Sequence, residues 1–242
     1  MNHTLISESD IKERDGFIER LLDSTKGAFD IFTIYLGDRL GFYQALSEHG
    51  PATSEELAAC TGSYERYVRE WLEQQTVAGI LKVEDENAAA RYRRYRLPAG
   101  HREVLVDRDS LNYLAPLAQM VAGAVRPMHQ VLKAYRSGKG VPYPYYGAEF
   151  REGQAAMNRT MFLRQLGTEW IPSIPDIHRR LIADPPAWVA DIGCGGGWSG
   201  IGMARAYPKI QVDGYDLDEA SVELARANVV EAGLEQRVRI HH

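Results

Sequence analysis

The fold is decided by the stretch WVADIGCGGGWSG, which runs from Trp188 to Gly200. Its first residues are apolar and typical of a buried strand, and five glycines follow within the eight residues from Gly193 to Gly200. Glycines between a strand and a helix let the backbone approach a ligand closely and leave the partially positive N-terminus of the helix accessible. The stretch therefore predicts a ligand-binding turn at the edge of a sheet.

The residues around this turn alternate between strand and helix patterns. In chain order the predicted elements are strand Ala187–Ile192, helix Trp198–Ala206, strand Ile210–Tyr215, helix Glu219–Ala232 and strand Arg237–His241. The order β-α-β-α-β is typical of a parallel sheet with crossover helices. We predict an α/β fold with a partial Rossmann-like sheet in this part of the chain.

The N-terminal part of the chain predicts a different architecture. Apolar residues recur at helical spacing over 17–36, and Thr53 and Glu56 form the capping-box pattern at the start of a later helix. After the last helical segment, strand-like runs at 81–83 and 95–97 flank a polar tip and predict a hairpin. Helices followed by a hairpin are the pattern of a winged helix, so we predict an all-α domain of this type.

Three regions of the chain differ in their sequence patterns. We predict a winged-helix domain at 1–109, a helical connector with proline breaks at 110–184, and the sheet segment at 185–242. The connector contains the aromatic loop GKGVPYPYYGAEF, which is stiffened by two prolines.

The composition argues against several classes of function. The 242 residues carry a formal net charge of −5, which gives no general attraction to nucleic acid or to anionic membranes. Cys60 and Cys194 are too few and too far apart for a disulfide framework or a zinc site, and we assign no metal site. The N-terminus lacks the layout of a signal peptide, and no apolar run is long enough to span a bilayer. We expect a cytoplasmic protein that does not bind membranes.

The glycine turn suits two kinds of ligand, dinucleotides and adenosyl cofactors. In the dinucleotide fingerprint G-x-G-x-x-G the first glycine directly follows the strand. If Gly193 is that first glycine, the large Trp198 occupies the third glycine position, where a small residue is needed. Asp191, two residues before the turn, would also repel a pyrophosphate. A carboxylate here favours a cationic ligand; the alternative role for Asp191 is to cap the turn.

The stretch DIGCGGG resembles the first signature of class I S-adenosyl-L-methionine (SAM)-dependent methyltransferases. Asp191, Gly193, Gly195 and Gly197 fall on the acidic and glycine positions of that signature. The resemblance implies that SAM is the cofactor and that this turn wraps its methionine part.

A second signature of the same family follows in VDGYDLDEASVELARANV, at the end of the second strand. The resemblance implies that Asp216 binds both ribose hydroxyls and that Leu217 lies against the adenine ring. A carboxylate suits this role because it accepts two hydrogen bonds from a vicinal diol. Asp218 competes with Asp216 for the N-cap of the next helix; the alternative is that Asp216 is only that cap.

The order of the domains extends the resemblance. A winged helix, a helical connector and the start of a Rossmann-like sheet together resemble bacterial small-molecule O-methyltransferases. The resemblance implies methyl transfer to a small-molecule acceptor, with the winged helix serving in dimerisation and as a substrate lid. We expect a homodimer formed through the N-terminal helices, and we do not expect binding to nucleic acid.

The connector adds weaker candidates for the lining of the cleft. They are Met157, Asn158 and Met161 in MNRTMF, and Tyr145, Tyr146 and Phe150 in the aromatic loop. The alternative for both sets is ordinary packing.

The predicted sheet is shorter than that of the family. A class I methyltransferase sheet usually has seven strands and this chain supplies three, so the general base and the residues that face the transferred methyl group are missing. We expect a fragment of a longer enzyme; the alternative is that a partner or a second copy completes the sheet. We assign no catalytic residue, expect Cys194 to fill space, and expect weak or absent turnover.

Two other functions compete with methyl transfer. A DNA-binding regulator would use the winged helix and the arginine-rich RYRRYR at 91–96. The helix at the recognition position carries Glu65, Glu70 and Glu73, whose carboxylates repel phosphates. The other competing function is a dimerisation module with a vestigial cofactor site. The paired acidic signatures favour the methyltransferase.

Overall fold

The computed structural model describes residues 7–242. Residues 1–6, which belong to the stretch judged to lack a signal-peptide layout, lie outside the described residues. The chain forms two compact units that divide after Pro98. The predicted boundaries at residues 109 and 184 stay predictions.

The first unit consists of helices followed by a short hairpin. Its elements are α1 (Glu8–Arg39), α2 (Phe42–His49), α3 (Ser54–Thr61), α4 (Glu65–Val77), β1 (Lys82–Val83) and β2 (Tyr95–Arg96). The two strands pair antiparallel, with Val83 opposite Tyr95. The winged-helix prediction is confirmed in order and in element type.

Local signals explain where α3 begins and ends. The Glu56 N–H donates to Thr53 Oγ1 at 3.2 Å, and the Thr53 N–H donates to Glu56 Oε2 at 2.8 Å, so the predicted capping box is formed. Gly62 ends the helix in the left-handed conformation, at φ +65°. The helix then packs through Leu57 into a core that includes Leu72 of α4.

Helix α1 leaves much of its apolar surface uncovered. Apolar residues that follow one another along α1 are exposed, and these are Ile11, Phe17, Ile18, Leu21, Leu22, Phe29 and Leu36. Phe29 retains 64% of its accessible surface and Leu22 retains 59%. A row of this length is more than scattered surface residues and marks a surface suited to association.

The second unit combines the helical connector with a three-stranded sheet. Its elements are α5 (Ala99–Leu105), α6 (Ala115–Ala124), α7 (Met128–Ser137), α8 (Gly147–Met161), a π-helix (Phe162–Trp170), α9 (Pro175–Ile182), β3 (Trp188–Ile192), α10 (Trp198–Ala206), β4 (Gln211–Tyr215), α11 (Glu219–Glu231) and β5 (Val238–His241). Three of the prolines in the connector lie at the starts of helices, since Pro116 lies in the first turn of α6, Pro127 is the N-cap of α7 and Pro175 opens α9.

The sheet is parallel, with strand order β3-β4-β5, and the predicted β-α-β-α-β order is confirmed. One face is covered by α10 and α11 and buries Val212 and Val238 in the core. On the other face Trp188 keeps 66% of its surface exposed and Ile192 keeps 77%. Among the described residues β3 pairs only with β4, so its other edge is unpaired.

Close packing at two glycines fixes the π-helix against α10. A Cβ on Gly202 would lie 2.3 Å from the backbone oxygen of Phe162, and one on Gly167 would lie 2.2 Å from the Cβ of Ala206. Only glycine permits this approach of the two helices. The packing holds the start of the π-helix beside the carboxyl end of the sheet, where the candidate site lies.

Within residues 7–242 no helix is both long enough and apolar enough to cross a membrane. The cytoplasmic location stays a prediction.

Cys194 fills space between the glycine turn and the sheet. Its side chain is buried, and a Cβ placed on Gly214 of β4 would come within 3.1 Å of its Sγ. Burial raises the pKa of the Cys194 thiol to about 11, so the thiol stays protonated at neutral pH. Cys194 therefore has the environment of a packing residue.

We predict that an alkylating reagent distinguishes the two cysteines of the native protein. Iodoacetamide at mildly alkaline pH should modify Cys60, which is exposed, and leave Cys194 unmodified because its thiol is buried and protonated. Peptide mass spectrometry checks the result, with unfolded protein as the control in which both thiols react. Fast modification of Cys194 in the native protein would contradict this description.

Candidate functional site

A cavity of about 790 Å³ opens at the carboxyl end of the parallel sheet. Its walls come from the glycine turn after β3, the loop between β4 and α11, helix α8, the start of the π-helix and the loop before α8. Crevices at the carboxyl ends of parallel strands are the usual ligand sites of such sheets. The cavity lies wholly within the second unit.

The glycine turn forms the floor beside β3. Gly193 and Gly195 line the cavity and both adopt left-handed backbone conformations, at φ +74° and +52°. The Gly193 N–H donates to the Tyr215 carbonyl at 2.7 Å, which joins the turn to the end of β4. Gly197 is the N-cap of α10 and lies outside the lining, where a Cβ would come 3.1 Å from the Cβ of Ala225.

Asp191 lies at the end of β3 and contributes its carboxylate to the cavity wall. The Ser199 hydroxyl, from the first turn of α10, donates a hydrogen bond to Asp191 Oδ2. The side chain is half-buried, and this hydroxyl uses only part of its capacity to accept hydrogen bonds. Asp191 can therefore still interact with a cation or a donor in the cavity.

Asp216 lies at the neighbouring strand end, after β4, and lines the same cavity. Its Oδ2 accepts the Gly195 N–H at 2.8 Å, and its Oδ1 accepts the Asp218 N–H at 2.9 Å. Each oxygen keeps a second lone-pair direction, so the carboxylate can accept one further hydrogen bond on each side. Leu217 also lines the cavity and is 95% exposed, which leaves one apolar side chain free for contact with a ligand.

Asp218 is the N-cap of α11, and Asp216 is not. Asp218 Oδ2 accepts the Ser221 N–H at 3.0 Å. Arg151 of α8 donates to the same oxygen through Nε at 2.6 Å, and both side chains are largely buried. Burial alone would raise the pKa of Asp218, but the hydrogen bonds from Arg151 and Ser221 outweigh it and hold the pKa below its usual range.

Helix α8 and the loop before it form the opposite wall. Arg151, Gln154, Ala155 and Asn158 line the cavity at the spacing of one helical face. Of the predicted helix candidates, Asn158 is in this lining, whereas Met157 and Met161 are not.

The aromatic loop contributes through a residue that the sequence interpretation did not single out. Tyr143 lines the cavity, and its hydroxyl donates to Gln154 Oε1 at 3.0 Å. Tyr146 and Phe150 pack with it instead of lining the cavity, with ring centroids 6.3 Å and 5.9 Å from that of Tyr143. Tyr145 also lies outside the lining and is half-exposed. The packing alternative therefore describes Tyr146 and Phe150.

The charges around the cavity are mainly negative. Among the described residues that line it, the carboxylates are those of Asp191, Asp216 and Asp218, and the one cation is Arg151. Because Arg151 is paired with Asp218, the negative charges of Asp191 and Asp216 have no cationic partner within the lining. Such a site favours a ligand that carries positive charge and hydroxyl donors, and it disfavours a pyrophosphate.

Residues 7–242 contain no group of three or more His, Cys, Asp or Glu side chains arranged to hold a metal ion.

Two family models match separate parts of the chain. Residues 28–107 match the Rv2258c-like winged HTH domain, and residues 179–242 match the methyltransferase small domain. No protein among the curated sequences matches the chain.

The chain shares its fold with several solved structures, including the following three. The mitomycin 7-O-methyltransferase MmcR is 22% identical with a TM-score of 0.64, over 95% of this chain and 66% of its own. PigF, solved with SAH, is 19% identical with a TM-score of 0.61, over 92% of this chain and 65% of its own. Human N-acetylserotonin methyltransferase, in complex with SAM, is 18% identical with a TM-score of 0.57, over 100% of this chain and 67% of its own.

This chain therefore spans about two thirds of the length of the structures that it resembles. The order of the matches agrees with the observed elements, a winged helix first and then helices alternating with a parallel sheet. The chain joins an N-terminal winged helix-turn-helix domain to a methyltransferase domain segment that begins at the helix before β3.

Proposed function

We propose that this chain binds SAM in the cavity of its second unit and forms the cofactor-binding part of a methyltransferase that acts on a small-molecule acceptor. The observation that carries the proposal is the position of two acidic side chains. Asp191 and Asp216 lie at the ends of neighbouring parallel strands and line one cavity, with the glycine turn between them.

The chemistry of the cavity fits each part of this cofactor. SAM carries a sulfonium and an ammonium group at its methionine end and has no phosphate, and Asp191 beside Gly193 and Gly195 offers a carboxylate and accessible backbone. Asp216 retains one acceptor direction on each oxygen, which matches a vicinal diol. The exposed Leu217 is available to pack against an adenine ring.

The predicted role of Gly197 is indirect in this proposal. It starts α10 and lets the helix approach Ala225, so it shapes the turn from behind. The cofactor contacts are assigned to Asp191, Gly193, Gly195, Asp216 and Leu217, all of which line the cavity.

The protein's part in methyl transfer is alignment and the exclusion of water. When bound, SAM supplies a methyl group that is already activated by the adjacent sulfonium. Asp216 and the glycine turn hold the two ends of the cofactor, and the apolar side chains of Phe162, Leu166 and Met203 line the same cavity and exclude water from it. The general base remains unassigned among the described residues, and turnover by this chain alone is expected to be weak or absent.

The arginines of the first unit do not favour a DNA-binding function. Arg94 pairs with Glu56 at 3.0 Å and Arg93 approaches Glu73 at 3.6 Å, while on α4 Arg69 pairs with Glu65 at 2.9 Å. A guanidinium that is paired with a carboxylate gives little net attraction for phosphate. The other competing function is a dimerisation module with a vestigial cofactor site. A measurement of cofactor binding distinguishes that function from a methyltransferase.

We also propose that the chain forms a homodimer through α1. The exposed apolar residues along this helix form a surface suited to a second copy of the same helix.

We predict that the folded chain binds S-adenosylhomocysteine (SAH), the demethylated form of the cofactor, and that Asp216→Ala weakens binding by about 10- to 100-fold. The loss reflects one or two hydrogen bonds to a charged acceptor. Isothermal titration calorimetry measures it. Asp213→Asn is the matched control, because Asp213 is in β4, the strand that ends just before Asp216, and pairs with His241 at 2.9 Å outside the cavity lining. Absence of heat at millimolar SAH, or unchanged affinity in Asp216→Ala, would refute the proposal.

We predict a dimeric mass in solution, twice the 27.2 kDa of one chain. Phe29→Glu should convert the protein to a monomer, because it puts a charge into the apolar surface of α1. Light scattering coupled to gel filtration measures the mass. Val77→Glu is the control, since Val77 is 90% exposed but lies on α4. A wild-type monomer at tens of micromolar, or a dimeric Phe29→Glu variant, would count against this interface.

A further inference from the structure

A largely buried ion pair lies in the wall of the cavity. Arg151 Nε donates to Asp218 Oδ2 at 2.6 Å, and a second guanidinium nitrogen is 3.4 Å from Asp218 Oδ1. The side chains are 13% and 7% exposed, so the pair is screened little by solvent. The surface ion pairs of the same unit, such as Lys209 with Asp184, are far more exposed.

The pair continues into the proposed ribose site through the backbone. Asp218 is held by Arg151 through its side chain, and its own N–H donates to Asp216 Oδ1 at 2.9 Å. The Gly195 N–H donates to the other oxygen of Asp216 at 2.8 Å. Helix α8, the loop after β4 and the glycine turn are thus joined in one chain of hydrogen bonds that passes through the Asp216 carboxylate.

Arg151 also determines which carboxylates remain free. Asp216 and Asp218 are two residues apart on one loop, and both line the cavity. With Arg151 present, Asp218 is engaged by the guanidinium and by Ser221, and Asp216 keeps its free acceptor directions toward the cavity. Without Arg151, Asp218 would be a buried carboxylate lacking a cation, and turning it toward water would move the N–H that fixes Asp216.

We propose that Arg151 is a positioning residue, which orients the Asp216 carboxylate toward the ribose diol of the cofactor by holding Asp218. This inference rests on the proposed function, because it requires SAM to occupy the cavity. The inference predicts that loss of Arg151 weakens the interaction with the ribose diol and leaves the contacts with the rest of the cofactor unchanged.

The test compares two ligands by calorimetry, SAH and an SAH analogue that lacks the 2′- and 3′-hydroxyls. Arg151→Met should weaken SAH binding by about tenfold, roughly one hydrogen bond, and leave the affinity for the analogue unchanged. The Arg151→Met/Asp216→Ala protein should bind SAH no more weakly than Asp216→Ala does, because both changes remove the same interaction. Arg151→Lys should recover part of the affinity, and Lys209→Met, which breaks an exposed pair, should change nothing.

Circular dichroism and thermal unfolding show which variants fold. Arg151→Met/Asp218→Asn removes the buried charge together with its partner and keeps a side chain able to cap α11, so it replaces Arg151→Met if that protein does not fold. In this double variant Arg151 no longer holds the side chain at 218, so the loss should again be restricted to the ligand with the diol. It should be smaller than in Arg151→Met, because no unpaired buried charge is left to turn toward water.

The outcomes separate the two proposals. The proposed function is refuted if the wild-type protein does not bind SAH, or if Asp216→Ala does not weaken SAH binding. This inference is then refuted with it. Where the wild-type protein binds SAH and Asp216→Ala weakens that binding, the inference alone is overturned by wild-type affinity in the folded Arg151 variants. It is also overturned by an equal loss for SAH and the analogue, or by losses that add in the Arg151→Met/Asp216→Ala protein.

Discussion

Two backbone N–H groups, those of Gly195 and Asp218, hold the carboxylate of Asp216 at the edge of the sheet. This arrangement depends on the parallel pairing of β3 with β4, because that pairing brings the glycine turn beside the end of the next strand. It depends equally on the left-handed conformation of Gly195, which points the N–H at the carboxylate. The cavity, its charge and its proposed ligand all follow from a carboxylate fixed at this point.

The same arrangement is the reason for proposing an adenosyl sulfonium, and not a dinucleotide, as the ligand of the cavity. Glycine turns in both kinds of site offer backbone to the ligand, so the turn alone does not discriminate. Discrimination comes from charge. Asp191 and Asp216 stand on either side of the turn without a cation in the lining to pair with them, since the guanidinium of Arg151 is engaged by Asp218. A pyrophosphate in this position would meet two carboxylates, whereas a sulfonium and a diol are attracted by them.

Much of the fold could be predicted from the sequence because its signals are local. The capping box of Thr53 and Glu56, the helix end at Gly62 and the alternation from β3 to β5 each lie within a few residues, and the structure contains all of them. Asp191 and Asp216 could be chosen because parallel strands bring their carboxyl ends to one edge. The predictions for these two side chains as cofactor ligands still await a binding measurement.

The wall opposite the sheet could not be read from the sequence in the same way. Arg151 and Gln154 resemble the solvated face of a helix, and Arg151 meets Asp218 only through tertiary packing across 67 positions of the chain. Tyr143 lines the cavity and Tyr146 does not, although both belong to one short aromatic run. Sequence spacing does not encode which of the two tyrosines faces the cavity.

The chain spans about two thirds of the length of the solved structures that share its fold, and the central proposal is that its Asp216 carboxylate binds the ribose diol of SAM. A crystal structure of the chain with SAH tests the central claim most directly. We predict both ribose hydroxyls within about 3 Å of the Asp216 carboxylate, and the methionine end of the ligand beside Asp191 and the glycine turn. A ligand bound elsewhere, or bound in this cavity with its diol directed away from Asp216, would contradict it.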